Sequence, residues 1–436
     1  MKRKYGLLIT CLVFLFLFTM ANFNIINTYY DQYLNFSKDY TSFEKEFIKE
    51  NLLARESAEE YEKMIRPAEE DLDNSSEDKK IESYVKLNSL SALLMDGDNN
   101  RVLYEKNGFE RRSMASTTKI MTCIVALENG KPDEIVTVSS YAARMPDVQL
   151  NIRTDEEYYL GDLMYSLMLE SHNDVAVAIA EHIGGSVEGF ATMMNDKARS
   201  LGCMNTNFVT ANGLDAENHY STAEDLAVIA SYAINNEEFI KITNASSHTF
   251  SEIKSGRTFT VTNKNKFLYM MDGAIGVKTG FTNQAGYCFV GAIKRPDRTL
   301  ISVVLGCGWP PSRSLKWTDT KRLMEYGINN YERKQIFQEV DLEPIYVQDG
   351  QIPYEHISLT GDMEILLHKN EEIHVYYDLP KVLIAPVEEG EIVGYANYYI
   401  DDQPYEEIPI YSEYAVKKID YLFCLKNIFR IWSLQY

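Results

Sequence analysis

The sequence predicts an α+β fold: an antiparallel sheet with flanking helices and an all-helical lobe, then a small all-β domain and a C-terminal amphipathic helix. Three observations carry this. Between residues 116 and 235 apolar residues recur at helical spacing. After Gly273 the texture changes to strand-like runs. From about Arg333 to Ile410 short apolar runs alternate with turn signals. With 436 residues and 45% hydrophobic content, the chain is long enough for two or three packed domains plus tails.

The first 30 residues read as an export element. Lys2, Arg3 and Lys4 form a positive start, and residues 6–21 carry no charge. No Ala-x-Ala cleavage site follows, and Asn22 and Asn24 interrupt an apolar stretch that resumes at Ile25. About 21 residues at 1.5 Å each would span roughly 30 Å, enough for a bilayer core. A cleaved signal peptide and a retained N-terminal anchor therefore both fit, and both place the rest outside the cytoplasm. Residues 31–82 form an acidic helical extension or linker. Phe43, Phe47, Ile48, Leu52 and Leu53 give it only a narrow apolar stripe, and Pro67 and the polar run 71–80 end it.

A globular pattern begins near Tyr84 and defines a segment over 83–332. Residues 91–95 and 101–105 flank Asp96-Gly97-Asp98-Asn99-Asn100 and read as a β-hairpin. Ser116 opens a helix apolar on nearly all sides, which belongs at a domain centre. Further helices are expected over 161–169, 174–183, 189–201 and 223–235, with Ser171-His172-Asn173 in a connection. Strands are expected over 274–279, 285–294 and 299–306, turning at Arg295-Pro296-Asp297-Arg298, with a closing helix over 314–326. The all-β part covers 333–412, turning at Asp349-Gly350, Thr360-Gly361-Asp362 and Glu389-Gly390. In the last segment, 413–436, Tyr421, Cys424, Leu425, Ile428, Phe429 and Trp432 share one helical face opposite Lys426, Arg430 and Ser433. That pattern suits the surface of a membrane, or docking on the chain's own domain.

A net charge of −21 argues against a nucleic-acid partner, whose phosphates would be repelled. Of six cysteines, Cys11 lies in the first apolar run, and Cys123 and Cys203 read as small core residues. Cys288 and Cys307 fall on strands expected to pair, but reduced, packed thiols are the default. The seven histidines form no His-x-His or His-Glu-x-x-His pair, so neither a metal site nor a cofactor is expected.

Three motifs occur in order: Ser116-Thr117-Thr118-Lys119, Ser171-His172-Asn173 and Lys278-Thr279-Gly280. Ser-x-x-Lys alone is near chance, since it recurs at Ser42, Ser76 and Ser251; Ser-x-Asn and Lys-Thr-Gly have no second copy. Ser116 at a helix N-terminus has a backbone N–H without an intrahelical partner, and Lys119 follows one turn later on the same face. A desolvated lysine near other cations has its pKa pulled towards neutrality and can accept the serine proton. The Ser171 hydroxyl both donates and accepts, so it can pass that proton to a leaving amine, while Asn173 can hold a substrate amide. Lys278 and Thr279 on an edge strand offer a cation and a hydroxyl to a carboxylate, and Gly280 lets substrate backbone approach. The backbone N–H groups of Ser116 and Phe281 would form an oxyanion hole. The ordered set points to a penicillin-sensitive serine peptidase.

The chain resembles the low-molecular-mass penicillin-binding proteins, specifically the serine-type D-alanyl-D-alanine carboxypeptidases. The resemblance rests on residues 115–122, Gly213-Leu214, residues 276–282 and Ala285-Gly286-Tyr287. It implies the penicillin-binding-protein and serine β-lactamase fold, with Ser116 as acyl-enzyme nucleophile and Lys119 as base. Ser171 and Asn173 would be relay and binder, and Lys278 and Thr279 would grip the terminal D-alanine carboxylate. The implied partners are peptidoglycan stem peptides, covalently bound β-lactams and a membrane surface. His172 stands where these enzymes usually carry glycine, and is expected to be a loop residue turned to solvent.

DD-endopeptidase activity is the nearest alternative. A serine β-lactamase would share the motifs, but Glu181 and Glu188 do not begin the Glu-x-x-x-Asn pattern that many such enzymes use for deacylation. A non-catalytic wall-binding protein or β-lactam sensor would have no need of Ser116, Lys119, Ser171 and Lys278 together.

Overall fold

The computed structural model describes residues 85–433; the expected export element, the acidic extension and the last three residues lie outside them. The first hairpin forms as expected, from β1 (Ser91–Asp96) and β2 (Val102–Lys106). Ser116 sits on a 3-10 turn, Ala115–Thr118, that leads into α1 (Lys119–Asn129). A short ribbon of β3 (Ile135–Thr137) and β4 (Glu157–Tyr159) precedes α2 (Leu160–Leu169), α3 (Asn173–Gly184) and α4 (Val187–Ser200). The lobe continues with α5 (Ala223–Ile234) and α6 (Glu237–Asn244), capped by the Thr222 and Asn236 side chains. A hairpin, β5 (Ser247–Ser251) with β6 (Thr258–Thr262), leads to β7 (Ala274–Thr282), β8 (Gly286–Arg295) and β9 (Arg298–Leu305), then α7 (Leu315–Asn330).

The central sheet has the order β2-β1-β9-β8-β7, antiparallel throughout, which leaves β7 as an edge. Alternation along its strands builds two cores. Leu93, Met95, Val290, Val303 and Leu305 pack with the helical lobe, including Ile120, Met121 and Ile124 of α1. Leu94, Phe289, Ile293 and Val304 face the other way, onto Leu323 and Met324 of α7. The α1 helix is apolar all round because it is enclosed: residues 119–126 are all buried. Cys288 lies on β8 in the lobe-side core, whereas Cys307, expected on a strand, lies just past the end of β9 in the α7-side core; both are free thiols.

From Tyr331 onward the chain is strands. The largest sheet contains Ile373–Asp378, Ile392–Ile400 and Gln403–Ser412, antiparallel, over a core that includes Ile365, Ala396, Tyr398 and Ile410. Strands Tyr331–Gln335 and Glu364–His368 pair with each other and rest against the first part of the chain. There the Tyr331 hydroxyl donates to the Leu103 carbonyl at 2.6 Å, and Arg101 bridges Leu366 O and Glu371. The last helix, α8 (Tyr421–Ser433), buries none of its residues. Among the described residues no helix is long and apolar enough to cross a membrane.

Candidate active site

The three motifs meet where the 3-10 turn, the start of α3 and edge strand β7 converge. The turn is unusual in backbone as well as sequence: Ala115 has φ +50°, a left-handed conformation that costs a non-glycine residue about 1 kcal/mol or more. Two glycines make room for it. A Cβ on Gly280 would lie 3.0 Å from Ser116 N and 3.1 Å from Met114 O, so only glycine lets β7 pass this close to the turn. Gly213, at φ +81°, would place a Cβ 2.1 Å from Ala115 O. Gly213→Ala is therefore expected to lose at least about 2 kcal/mol of stability, from strain and overlap together, and to fall sharply in acylation rate; thermal unfolding and penicillin labelling measure both.

Lys119 Nζ lies 3.0 Å from Ser116 Oγ and 2.8 Å from Asn173 Oδ1, and also donates to the Asn212 carbonyl. The two oxygens on Asn173 and Asn212 can only accept here, and so take two N–H bonds. The third position faces a hydroxyl, which can donate to a lysine lone pair. Burial pulls the Lys119 ammonium well below the usual lysine range, and the nearby Lys278 charge adds to this against an opposing pull from Asp174. An amine in its neutral form at this position would be aligned to accept the Ser116 proton.

Asn173 is oriented by its NH₂ donating to Pro146 O at 3.1 Å. Its carbonyl serves Lys119, a different contact from the substrate amide expected for it. Ser171 has φ +71° and a buried hydroxyl without a hydrogen-bond partner. Lys278 is buried, with Nζ donating to the Thr279 carbonyl at 3.2 Å; desolvation, then the Lys316 charge, push it down to about 7.

The expectation for His172 is overturned. It is 5% exposed, its Nδ1 lies 2.7 Å from Ser166 Oγ, and its Nε2 faces Glu170 at 3.4 Å. The connection is shorter than its polar sequence suggested because Asn173 already begins α3, which draws the preceding residue into the lobe. Glu181, in turn, is tied to Ser139 Oγ at 2.6 Å.

Several supporting groups escaped the sequence reading. Asp174 accepts N–H bonds from Leu150, Asn151 and Ile152, pinning that loop to the start of α3. His219 Nδ1 accepts from Val209 N at 3.0 Å, so Nε2 carries the hydrogen donated to Thr118 Oγ1 at 2.9 Å. Burial depresses His219 to about 4, keeping it neutral in that role. With Thr122 Oγ1 on Ala211 O at 2.6 Å, this stitches the 209–219 loop to the Ser116 turn and sets the Asn212 carbonyl beside Lys119. Gly213-Leu214 was the only sequence signal for that loop; a backbone carbonyl leaves none. Among the described residues no three His, Cys, Asp or Glu side chains are grouped as metal ligands.

A serine in contact with a desolvated lysine, set between a helical lobe and a sheet edge, has the arrangement of a serine acyl-transfer enzyme of the penicillin-binding-protein fold. Residues 77–308 match the D-alanyl-D-alanine carboxypeptidase family and residues 331–418 match the C-terminal domain of penicillin-binding protein 5. The chain is 30% identical over 352 residues to the D-alanyl-D-alanine carboxypeptidase DacF of Bacillus subtilis, covering 79% of this chain and 90% of that one. It is 33% identical over 327 residues to DacA of Haemophilus influenzae, covering 71% and 80%. Crystal structures of penicillin binding protein 5 from Haemophilus influenzae superpose with a TM-score of 0.64 at 28% identity, over 76% of this chain and 98% of that one. This protein belongs to the D-alanyl-D-alanine carboxypeptidase family of serine peptidases.

Proposed function

We propose that the protein removes the terminal D-alanine from peptidoglycan pentapeptide stems through an acyl-enzyme on Ser116, and that β-lactams acylate the same hydroxyl. The observation that carries this is the Lys119 amine, desolvated and 3.0 Å from Ser116 Oγ. Ser116 attacks the D-Ala–D-Ala carbonyl carbon as Lys119 takes its proton. The Ser116 and Phe281 N–H groups stabilise the oxyanion, each such donor being worth roughly 3–4 kcal/mol of barrier. Ser171 passes the proton to the leaving nitrogen, the C–N bond breaks, D-alanine departs, and water releases the shortened stem. Lys278 and Thr279 hold the terminal carboxylate beside Gly280. Trimming removes the bond that cross-linking uses, so it limits cross-linking.

Residues 83–332 are the catalytic part, 333–412 the all-β part, and 1–30 the export element that delivers the enzyme outside the cytoplasm. Helix α8 exposes Tyr421, Leu422, Ile428, Phe429 and Trp432 beside Lys426 and Arg430, a composition that supports lying on a membrane surface.

The deciding experiment measures D-alanine release from a diacyl-Lys-D-Ala-D-Ala peptide alongside turnover of a chromogenic cephalosporin. Release of D-alanine with a long-lived cephalosporin adduct is expected; rapid cephalosporin turnover without release would mean a β-lactamase.

A pH dependence follows from Lys278. Its ammonium is the form that binds carboxylate, and in the free enzyme it is lost as pH rises through about 7. The kcat/KM profile, which reports free-enzyme groups, should therefore fall on its alkaline side near that pH. In Lys278→Arg, whose guanidinium stays charged, that fall should vanish even if the maximum is lower.

A further inference from the structure

The Ser171 backbone, at φ +71°, occupies a conformation that serine does not adopt without support from its neighbours. Both neighbours supply it. Glu170 accepts from Thr262 N and Thr262 Oγ1, each at 3.0 Å, and pairs with Lys264 at 2.9 Å, which fixes it to the end of β6. On the other side is His172. Its imidazole Nδ1 forms a hydrogen bond with the buried Ser166 hydroxyl of α2 at 2.7 Å, and its Nε2 faces the Glu170 carboxylate at 3.4 Å. The ring is thus bonded to α2 and set against the side chain of the residue before Ser171. Burial lowers the pKa of His172 below its ordinary value, which favours the neutral ring.

We propose that His172 is a positioning residue for Ser171: its imidazole, bonded to Ser166 and set against Glu170, holds the Ser171 backbone in its left-handed conformation and keeps the unpartnered hydroxyl available to the reacting groups. A glycine here would keep the backbone bonds from Ala176 N to the residue 172 carbonyl and from Asn173 N to Val148 O, but would lose the ring's hold on α2. The inference rests on the relay role given to Ser171 in the proposed reaction, and it assigns to this chain a support that a glycine at the same position would lack.

The test is a double-mutant cycle on D-alanine release, with His172→Gly, His172→Gln, Ser171→Ala and the Ser171→Ala/His172→Gly double variant. His172→Gly should lower kcat about tenfold while KM changes less than about twofold, and His172→Gln, which can still meet both partners, should recover to within about threefold of wild type. In the Ser171→Ala background the glycine should have no further effect, because the group it acts through is gone. Wild-type kcat in His172→Gly, or an equal loss with and without Ser171, would overturn the proposal.

If wild type itself released no D-alanine, the functional reading would fail, and the His172 claim is then decided by the imidazole ¹⁵N spectrum. A single tautomer, with the Ser171 amide shifted in His172→Gly, supports it. A ring exchanging between tautomers, or a Ser171 amide indifferent to the substitution, overturns it.

Discussion

Ser116→Ala is expected to abolish both D-alanine release and the covalent penicillin adduct, with a fall in kcat of about 10⁴-fold or more. The size follows from the absence of a substitute. Thr117 and Thr118 are the nearest hydroxyls in sequence, but both are buried and already donate, to Met114 O at 2.7 Å and Ala115 O at 2.8 Å. On the proposed mechanism, what would remain in the variant is the binding of the terminal carboxylate and the oxyanion donors, which would lower a barrier but form no acyl-enzyme. Little else should change. The Ser116 hydroxyl is in contact with Lys119 and, at 3.5 Å, with Asn212 O, so its removal leaves Lys119 with both of its other acceptors. Stability should move by no more than about 1 kcal/mol. Intact mass after penicillin treatment, with D-alanine release and thermal unfolding on the same sample, separates loss of the nucleophile from loss of the fold. An adduct persisting in Ser116→Ala would reassign the nucleophile.

The site was legible in the sequence to the extent that its chemistry resides in side chains brought by short motifs. Ser116 and Lys119 need only one helical turn to meet, and spacing alone encodes that. The pairing of Asn173 with Lys119, 54 residues apart, was visible only as motif order. The near-continuous apolar runs of β8 and β9 and the fully apolar α1 specified the central layers because these elements are buried on both sides. Less legible were contacts made by backbone: the Asn212 carbonyl on Lys119, and the loop amides on Asp174. His172 was misread for a related reason. Its polarity and its place in a connection suggested solvent, whereas Ser166, six residues earlier on α2, gives its ring a buried partner that local sequence does not disclose. The short ribbon β3–β4 and the hairpin β5–β6 also went unnoticed, their polar alternation, as in Ser247–Ser251, being too weak to separate strand from loop.

Lys119→Met is expected to lower acylation, by substrate and by β-lactam alike, by about 10³-fold or more. Methionine matches the length and volume of lysine and suits a fully buried site, so the variant should fold. Stability carries two opposing terms. Removing an ionisable group relieves the desolvation that pulls its pKa down, while Asn173 Oδ1 and Asn212 O lose a donor, at about 1–3 kcal/mol each where no water replaces it. A moderate drop in melting temperature is therefore compatible with a very large drop in rate, and their disproportion identifies a chemical role. The contrast with Lys119→Arg sharpens it. Arginine keeps a positive charge and donors for both carbonyl oxygens, but its guanidinium does not deprotonate and cannot take the Ser116 proton. If Lys119 acted only as a fixed cation, arginine would restore much of the rate; if it acts as base, arginine should be as inactive as methionine. Rapid-mixing measurement of penicillin acylation in the three proteins decides between them, because it reads the step in which the proton leaves Ser116 and is independent of how the acyl-enzyme is later hydrolysed.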